Sequence, residues 1–205
     1  VKVDDWQIDV ICGGSQKALS APPGLAFVTV SDKAMEVMEH RKVPVASFYC
    51  NLLTFKNYKK EKWFPYTMPA SDINGLEEAV RLVQEDTERI TRHEKIAQAV
   101  RQAVTAAGLS LYLNFGDANT VTVIRVPEGM KDTDIIRHMK ETYGILISGS
   151  FDVLAGKVIR LGHMGNNARK DEVAAMLEAL EKTLADLGFV CKKSMAEEFA
   201  KVLDS

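Results

Sequence analysis

The sequence predicts an α/β fold, and three observations carry that expectation. Short apolar runs rich in β-branched residues, such as Ile8–Cys12 and Thr120–Val126, alternate with longer stretches whose apolar residues recur at three- and four-residue spacing. Alternation of this kind builds strands covered by helices. The 205 residues are 46% hydrophobic, enough to bury a core, yet no apolar run approaches the roughly twenty residues of a membrane span.

Taken in order, a first strand is expected over Ile8 to Cys12, with Gly13-Gly14 ending it by admitting backbone angles that other residues avoid. Pro22-Pro23-Gly24 makes a rigid turn before a second strand, Leu25 to Val30. Ser31 is placed to cap a helix that runs to about Arg41, with Ala34, Val37 and Met38 on one face, and Pro44 marks its end. Residues 47–64 carry Phe48, Tyr49, Phe55, Tyr58, Trp63 and Phe64 without a clean period, which fits packing against further protein better than a ligand cage. Asp72 is expected to cap one long helix from Asn74 to about Ala107, stopped by Gly108. Helices longer than about 25 residues are unusual inside a compact domain, so this one is expected to bridge two domains, with the boundary near residue 75. Beyond it, Leu109–Leu113, Thr120–Val126, Ile145–Ser148 and Lys157–Leu161 read as strands. Asp132 to Tyr143, Asn167 to Leu187 and Met195 to Leu203 read as helices.

Five positions stand out as carriers of chemistry. Lys17 follows the first strand into a glycine-bounded turn that leaves its backbone little freedom, the kind of frame that holds an imine-forming lysine. Such an amine reacts only when neutral, so catalytic lysines sit in dry or cation-rich pockets, whereas a lone loop lysine is otherwise solvated. Ser15 and Gln16 beside it offer hydroxyl, amide and backbone donors to a phosphate, although a serine there also serves as a turn-stabilising hydroxyl. Thr67 lies between two prolines in Pro65-Tyr66-Thr67-Met68-Pro69, an extended turn that leaves its hydroxyl free to donate. Arg160 sits on a strand before Gly162-His163-Met164-Gly165, where its planar fork can take a carboxylate through two charge-assisted hydrogen bonds; a structural salt bridge is the alternative. Among the histidines, His93 and His138 fall on helices as surface or packing residues, and His163 either lines the mouth of a site or is structural.

Trp6-Gln7-Ile8-Asp9-Val10, Gly14-Ser15-Gln16-Lys17 and Pro22-Pro23-Gly24-Leu25 together resemble the cofactor-lysine segment of class V aminotransferases, with alanine–glyoxylate and serine–pyruvate aminotransferases as the nearest subgroup. Pro65-Tyr66-Thr67-Met68-Pro69, Arg92-His93, Thr120-Val121-Thr122-Val123 and Arg160-Leu161-Gly162-His163-Met164-Gly165 recur in that family's order, so the resemblance covers essentially the whole chain. It implies a fold-type-I enzyme using pyridoxal 5′-phosphate. Residues 1–75 would then be the C-terminal part of the large cofactor domain, and 76–205 the bridging helix with a small C-terminal α/β domain. Lys17 would form the internal aldimine and shuttle a proton, with Gln16, Ser15 and Thr67 on the cofactor and Arg160 clamping the substrate α-carboxylate. Thr67 would reach the phosphate of a neighbouring subunit, which implies a homodimer. Where some relatives carry a phosphate-binding tyrosine, this chain has Phe64, which lacks the hydroxyl. The aspartate, stacking aromatic and glycine-rich loop that the family places before the lysine are not matched here, so an upstream half is expected, on the same chain or on a second polypeptide.

The expected reaction is transamination from alanine or serine to glyoxylate or pyruvate by a ping-pong mechanism. The alternatives are another class V enzyme (a phosphoserine or aminoethylphosphonate transaminase, or a desulfurase-like lyase) and a non-catalytic assembly piece. Cys50 and Cys191 lack the mobile glycine- and serine-rich context a desulfurase needs. A net charge of −2, from 26 basic and 28 acidic residues mixed along the chain, makes no case for nucleic acid or an anionic membrane. Cys12, Cys50 and Cys191 are odd in number and unpaired in spacing, which suggests neither disulfides nor zinc and fits a reducing cytoplasm.

Overall fold

In the computed structural model, which describes residues 1–204, β1 (Val10–Gly14) pairs antiparallel with β2 (Ala26–Val30), setting Gly13 opposite Phe27 and Gly14 opposite Ala26. The two glycines therefore lie inside the ladder, a correction to the expectation that they end the strand. Their role is spatial: a Cβ on Gly13 would stand 2.3 Å from the Phe27 ring, so the missing side chain is what lets that ring lie across the neighbouring strand.

α1 (Asp32–Glu39) starts where expected. The Ser31 hydroxyl accepts the Ala34 N–H at 3.1 Å and donates to Asp9 Oδ1 at 2.7 Å, which ties the helix cap back to the entry of β1. That hydrogen bond, with help from Lys33, holds the Asp9 carboxyl below the usual carboxylate range. The aromatic stretch forms a 3₁₀ turn at Leu52–Phe55 and a single turn, α2 (Tyr58–Glu61), before α3 (Ala70–Glu85).

The chain divides into two compact units, one of Val1–Leu82 and one from Val83 onward. The second opens with the last turn of α3 and continues into α4 (Arg89–Ala106), so the single helix expected from Asn74 to Ala107 is two helices. Arginine side chains account for the break. The Arg89 guanidinium donates to the carbonyls of Val83 and Asp86, replacing helical N–H partners there, while Arg92 grips the Asp86 carboxylate with both Nη groups. Asp72 lies inside the first turn of α3, which begins at Ala70, and does not cap it.

β3 (Val121–Arg125) pairs antiparallel with a later strand over Val158–Gly162, and α5 (Asp132–Tyr143) lies between them in sequence, closed by Gly144 at φ 69°. That later strand, β4, places Arg160 opposite Val123. The expected strands Leu109–Leu113 and Ile145–Ser148 shrink to single bridges, Leu111 to Ile124 and Ser148 to Arg160. Each stays in register for one residue before the chain bends away, the second into the 3₁₀ turn Asp152–Leu154. α6 (Lys170–Asp186) and α7 (Met195–Leu203) complete the unit. Its core joins Val100 and Val104 of α4, Ile124 and Ile159 of the sheet, Leu177 and Leu180 of α6, and Phe199 of α7, all essentially inaccessible to solvent. No described helix is long and apolar enough to cross a membrane.

Candidate active site

The segment after β1 is a closed turn. Lys17 N–H donates to Gly14 O at 3.3 Å, Ser20 N–H to Lys17 O at 2.9 Å and Ala21 N–H to Ser15 O at 3.1 Å. Ser15 is fully buried inside this turn. Its hydroxyl donates to Pro22 O at 2.6 Å and accepts the Leu25 N–H at 3.4 Å. Of the two roles open to Ser15, the geometry supports the turn-stabilising one, because its proton is already committed to a carbonyl. The Gln16 side chain folds over Gly14, where a Cβ would meet its Oε1 at 2.6 Å, so glycine makes room for that amide. Lys17 is exposed and has no carboxylate partner among the described residues. These residues anchor its backbone but do not enclose its amine.

Thr67 is held through its neighbour. Tyr66 OH donates to the carbonyls of Phe48 (3.0 Å) and Tyr49 (3.2 Å), and its ring packs against those of Phe48, Tyr49, Phe55 and Phe64 with centroids 4.8 to 6.0 Å apart. Thr67 follows this fixed ring and is itself exposed. The start of α3 then approaches the turn beyond Lys17: a Cβ on Gly24 would stand 2.8 Å from Asp72 Oδ2, and one on Gly75 would stand 3.3 Å from Pro22. Ser15, Gln16, Lys17 and Thr67 thus all belong to the first unit, on segments locked by hydrogen bonds and close backbone packing.

Arg160 belongs to the second unit. It is half-buried, its backbone exchanges hydrogen bonds with Ser148, and its Nε donates to Gly149 O at 2.6 Å. No carboxylate pairs with it among the described residues, where only its Nε is tied to a carbonyl. Gly149 is small for a reason, since a Cβ there would stand 2.9 Å from Asp132 Oδ2.

His163 does not line a mouth. It is fully buried, its Nε2 lies 2.9 Å from Thr122 Oγ1, its Nδ1 has no partner, and burial pushes its pKa down to about 4. His93, expected as a surface or packing residue, ties α4 to the turn after β4 together with Arg92. His93 Nε2 accepts the Gly165 N–H at 2.9 Å, its Nδ1 meets Arg89 O at 2.6 Å, and Arg92 Nε donates to Ala168 O at 3.0 Å. The hydrogen bond from Arg92 lowers the pKa of Asp86, and the same bond raises that of Arg92. The available signal was the adjacent pair Arg92-His93 just ahead of the apolar run that begins at Ile96. His138 similarly bridges α5 and α6 through Thr183 Oγ1 (3.1 Å) and Asp186 (3.2 Å). No group of three or more His, Cys, Asp and Glu side chains is arranged to hold a metal ion among the described residues.

Lys17 on its closed turn and Arg160 with its Nε tied to Gly149 O are the candidates for chemistry, one in each unit. Residues 1–176 match the family described as aminotransferase class-V, and the chain belongs to that family. It is 41% identical over 207 residues to an uncharacterized aminotransferase of Methanocaldococcus jannaschii, a match covering 99% of this chain and 53% of that protein. It is 37% identical over 191 residues to the L-aspartate–glyoxylate aminotransferase of Paracoccus denitrificans, covering 91% of this chain and 48% of the relative. Among solved structures, pyridoxamine–pyruvate aminotransferase from Mesorhizobium loti superposes with a TM-score of 0.91 at 31% identity, over 98% of this chain and 53% of that one. The fold is that of the fold-type-I aminotransferases, a family that in general uses pyridoxal 5′-phosphate. The chain spans about half the length of the curated relatives it matches.

Proposed function

We propose that this chain is the C-terminal part of a pyridoxal-phosphate-dependent transaminase that moves an amino group from alanine or serine to glyoxylate or pyruvate. The observation that carries this reading is Lys17, an amine without a carboxylate partner among the described residues, on a turn closed by its own backbone hydrogen bonds. Attachment to a carbonyl needs a backbone held in place and a side chain free to reach, and this turn provides both. The residues present therefore fit the cofactor, which when bound would supply an electron sink next to the substrate α-carbon. Lys17 would hold it and would carry a proton to and from the substrate carbon. The Gln16 amide would donate to its phosphate and the Thr67 hydroxyl to that of a partner's cofactor, while the buried Ser15 holds the turn on which Lys17 and Gln16 stand. The Arg160 Nη groups take the α-carboxylate that amino acids and 2-oxo acids share, with Gly149 O fixing the plane of the fork.

Residues 1–75 then belong to the large cofactor domain and 76–205 to the small one, with α3 and α4 in place of a single bridging helix. Exposed Phe48, Tyr49, Trp63 and Met68 around the Thr67 segment support a homodimer in which Thr67 serves the partner's cofactor. The remaining cofactor groups would come from an upstream half of the same chain or from a second polypeptide. Three free thiols accord with a reducing cytoplasm.

Borohydride reduction of the loaded protein followed by peptide mapping tests the reading. A phosphopyridoxyl mass on the peptide containing Lys17 is expected, and Lys17→Ala should lose both that mass and at least about a thousandfold in turnover. Unchanged turnover by Lys17→Ala would reject the mechanism. Rates with alanine, serine and aspartate as donors, the last being the one in the name of the Paracoccus relative, decide the substrate.

A further inference from the structure

We propose that His93 is a positioning residue for the carboxylate-binding arginine: its imidazole pins the Gly162–Gly165 turn at the end of β4 and thereby fixes the strand from which Arg160 projects. This inference rests on the role assigned to Arg160 above. A carbonyl oxygen only accepts, so the 2.6 Å contact with Arg89 O places a proton on His93 Nδ1. In the neutral ring Nε2 is then the acceptor, and it faces the Gly165 N–H at 2.9 Å. Both nitrogens are used, in one tautomer, with the helix carbonyl setting the ring and the ring setting the turn.

The turn depends on that contact. Gly165 adopts φ 61°, a left-handed conformation that aims its N–H toward α4, and the N–H has no other hydrogen bond among the described residues. Two residues earlier, His163 N–H is held by Thr120 O at 3.1 Å; three residues later, Ala168 O is held by Arg92, whose guanidinium Asp86 orients. His93 is the tie between these two. β4 is an edge with one full partner strand and one single-residue bridge, so its last residues owe their position to the turn as much as to the ladder. Arg160 lies two residues before Gly162, and Gly149 O holds only its Nε. A turn released from α4 would let the far end of β4 shift while Nε stays anchored, which tilts the fork away from the plane that a two-point carboxylate contact needs.

The test compares His93→Leu, His93→Gln and Arg160→Lys in the cofactor-loaded enzyme, with glyoxylate as the carboxylate probe. His93→Leu should raise the KM for glyoxylate about tenfold with kcat within about twofold, and hydrogen exchange of the 162–168 peptide should quicken about tenfold. His93→Gln, whose side-chain oxygen can accept the same N–H, should recover most of both. An unchanged KM in His93→Leu alongside a raised KM in Arg160→Lys overturns the positioning role while leaving the Arg160 reading intact. An unchanged KM in Arg160→Lys removes the reading itself. Equal falls in kcat and kcat/KM, or no recovery with glutamine, would mark His93 as merely structural and overturn the proposal. Should His93→Leu not fold, nitrogen NMR of the unmodified protein decides: Nδ1 protonated with Nε2 bare supports it, and the reverse tautomer overturns it.

Discussion

Burying an imidazole at position 163 ties the stability of the second unit to pH. His163 ionises near pH 6.5 in an unfolded chain but only at about 4 when folded, because burial penalises its charged form. Between those values the unfolded chain binds a proton that the folded one refuses. The stabilisation is therefore whole above pH 6.5 and is lost as the pH falls to about 4, a change on the order of 3 kcal/mol at about 1.4 kcal/mol per unit. Urea unfolding at pH 7.5 and 4.5 should show it as a steeper loss in the parent protein than in His163→Gln, which subtracts the carboxylates titrating in the same window. Arg160 supports a second expectation at this scale. Arg160→Lys keeps the charge but loses the planar fork and the Gly149 contact, so the KM for 2-oxo acids should rise about 10- to 100-fold while the borohydride adduct on Lys17 persists. Lys17, Thr67 and Arg160 were readable as candidates because glycines and prolines within a few residues frame them. His93 was not, because its partner is an amide 72 residues away.

Among the elements, those with local signals came out as read. The Ser31 cap and the 132–143 helix follow from nearest neighbours. The α3–α4 break did not, because apolar spacing runs smoothly from Leu76 to Val104 and the interruption is made by arginine side chains that compete for carbonyls. Bridges replaced strands at Leu111 and Ser148 for a related reason: pairing length depends on where the chain must turn next, which apolar content does not report. α7 shows what packing contributes. It lies chiefly against α4, and Phe199 is wholly buried there. Phe199→Ala should cost about 3–5 kcal/mol through lost burial and the cavity left behind, read as a lower urea midpoint without a change in slope.

At the scale of the molecule, the two units differ in kind. Among the described residues, the buried apolar side chains of the first unit are only Ala21 and Ala79, and the rest of the core belongs to the second. A two-stranded sheet with Val10, Phe27 and Val28 exposed is marginal alone, so the first unit carries precise turns on a thin foundation. By itself the sequence determined the α/β class, the Ser31 cap, the framed lysine, the proline-bounded threonine and the strand arginine, because each rests on backbone preferences and side chains within one turn of chain. Only the tertiary structure decided that Ser15 holds the turn, that His163 is a buried neutral ring, that one long helix is two, and that His93 reaches the loop beyond Arg160. Those outcomes depend on hydrogen bonds and burial between segments far apart in sequence, whose geometry no local pattern encodes.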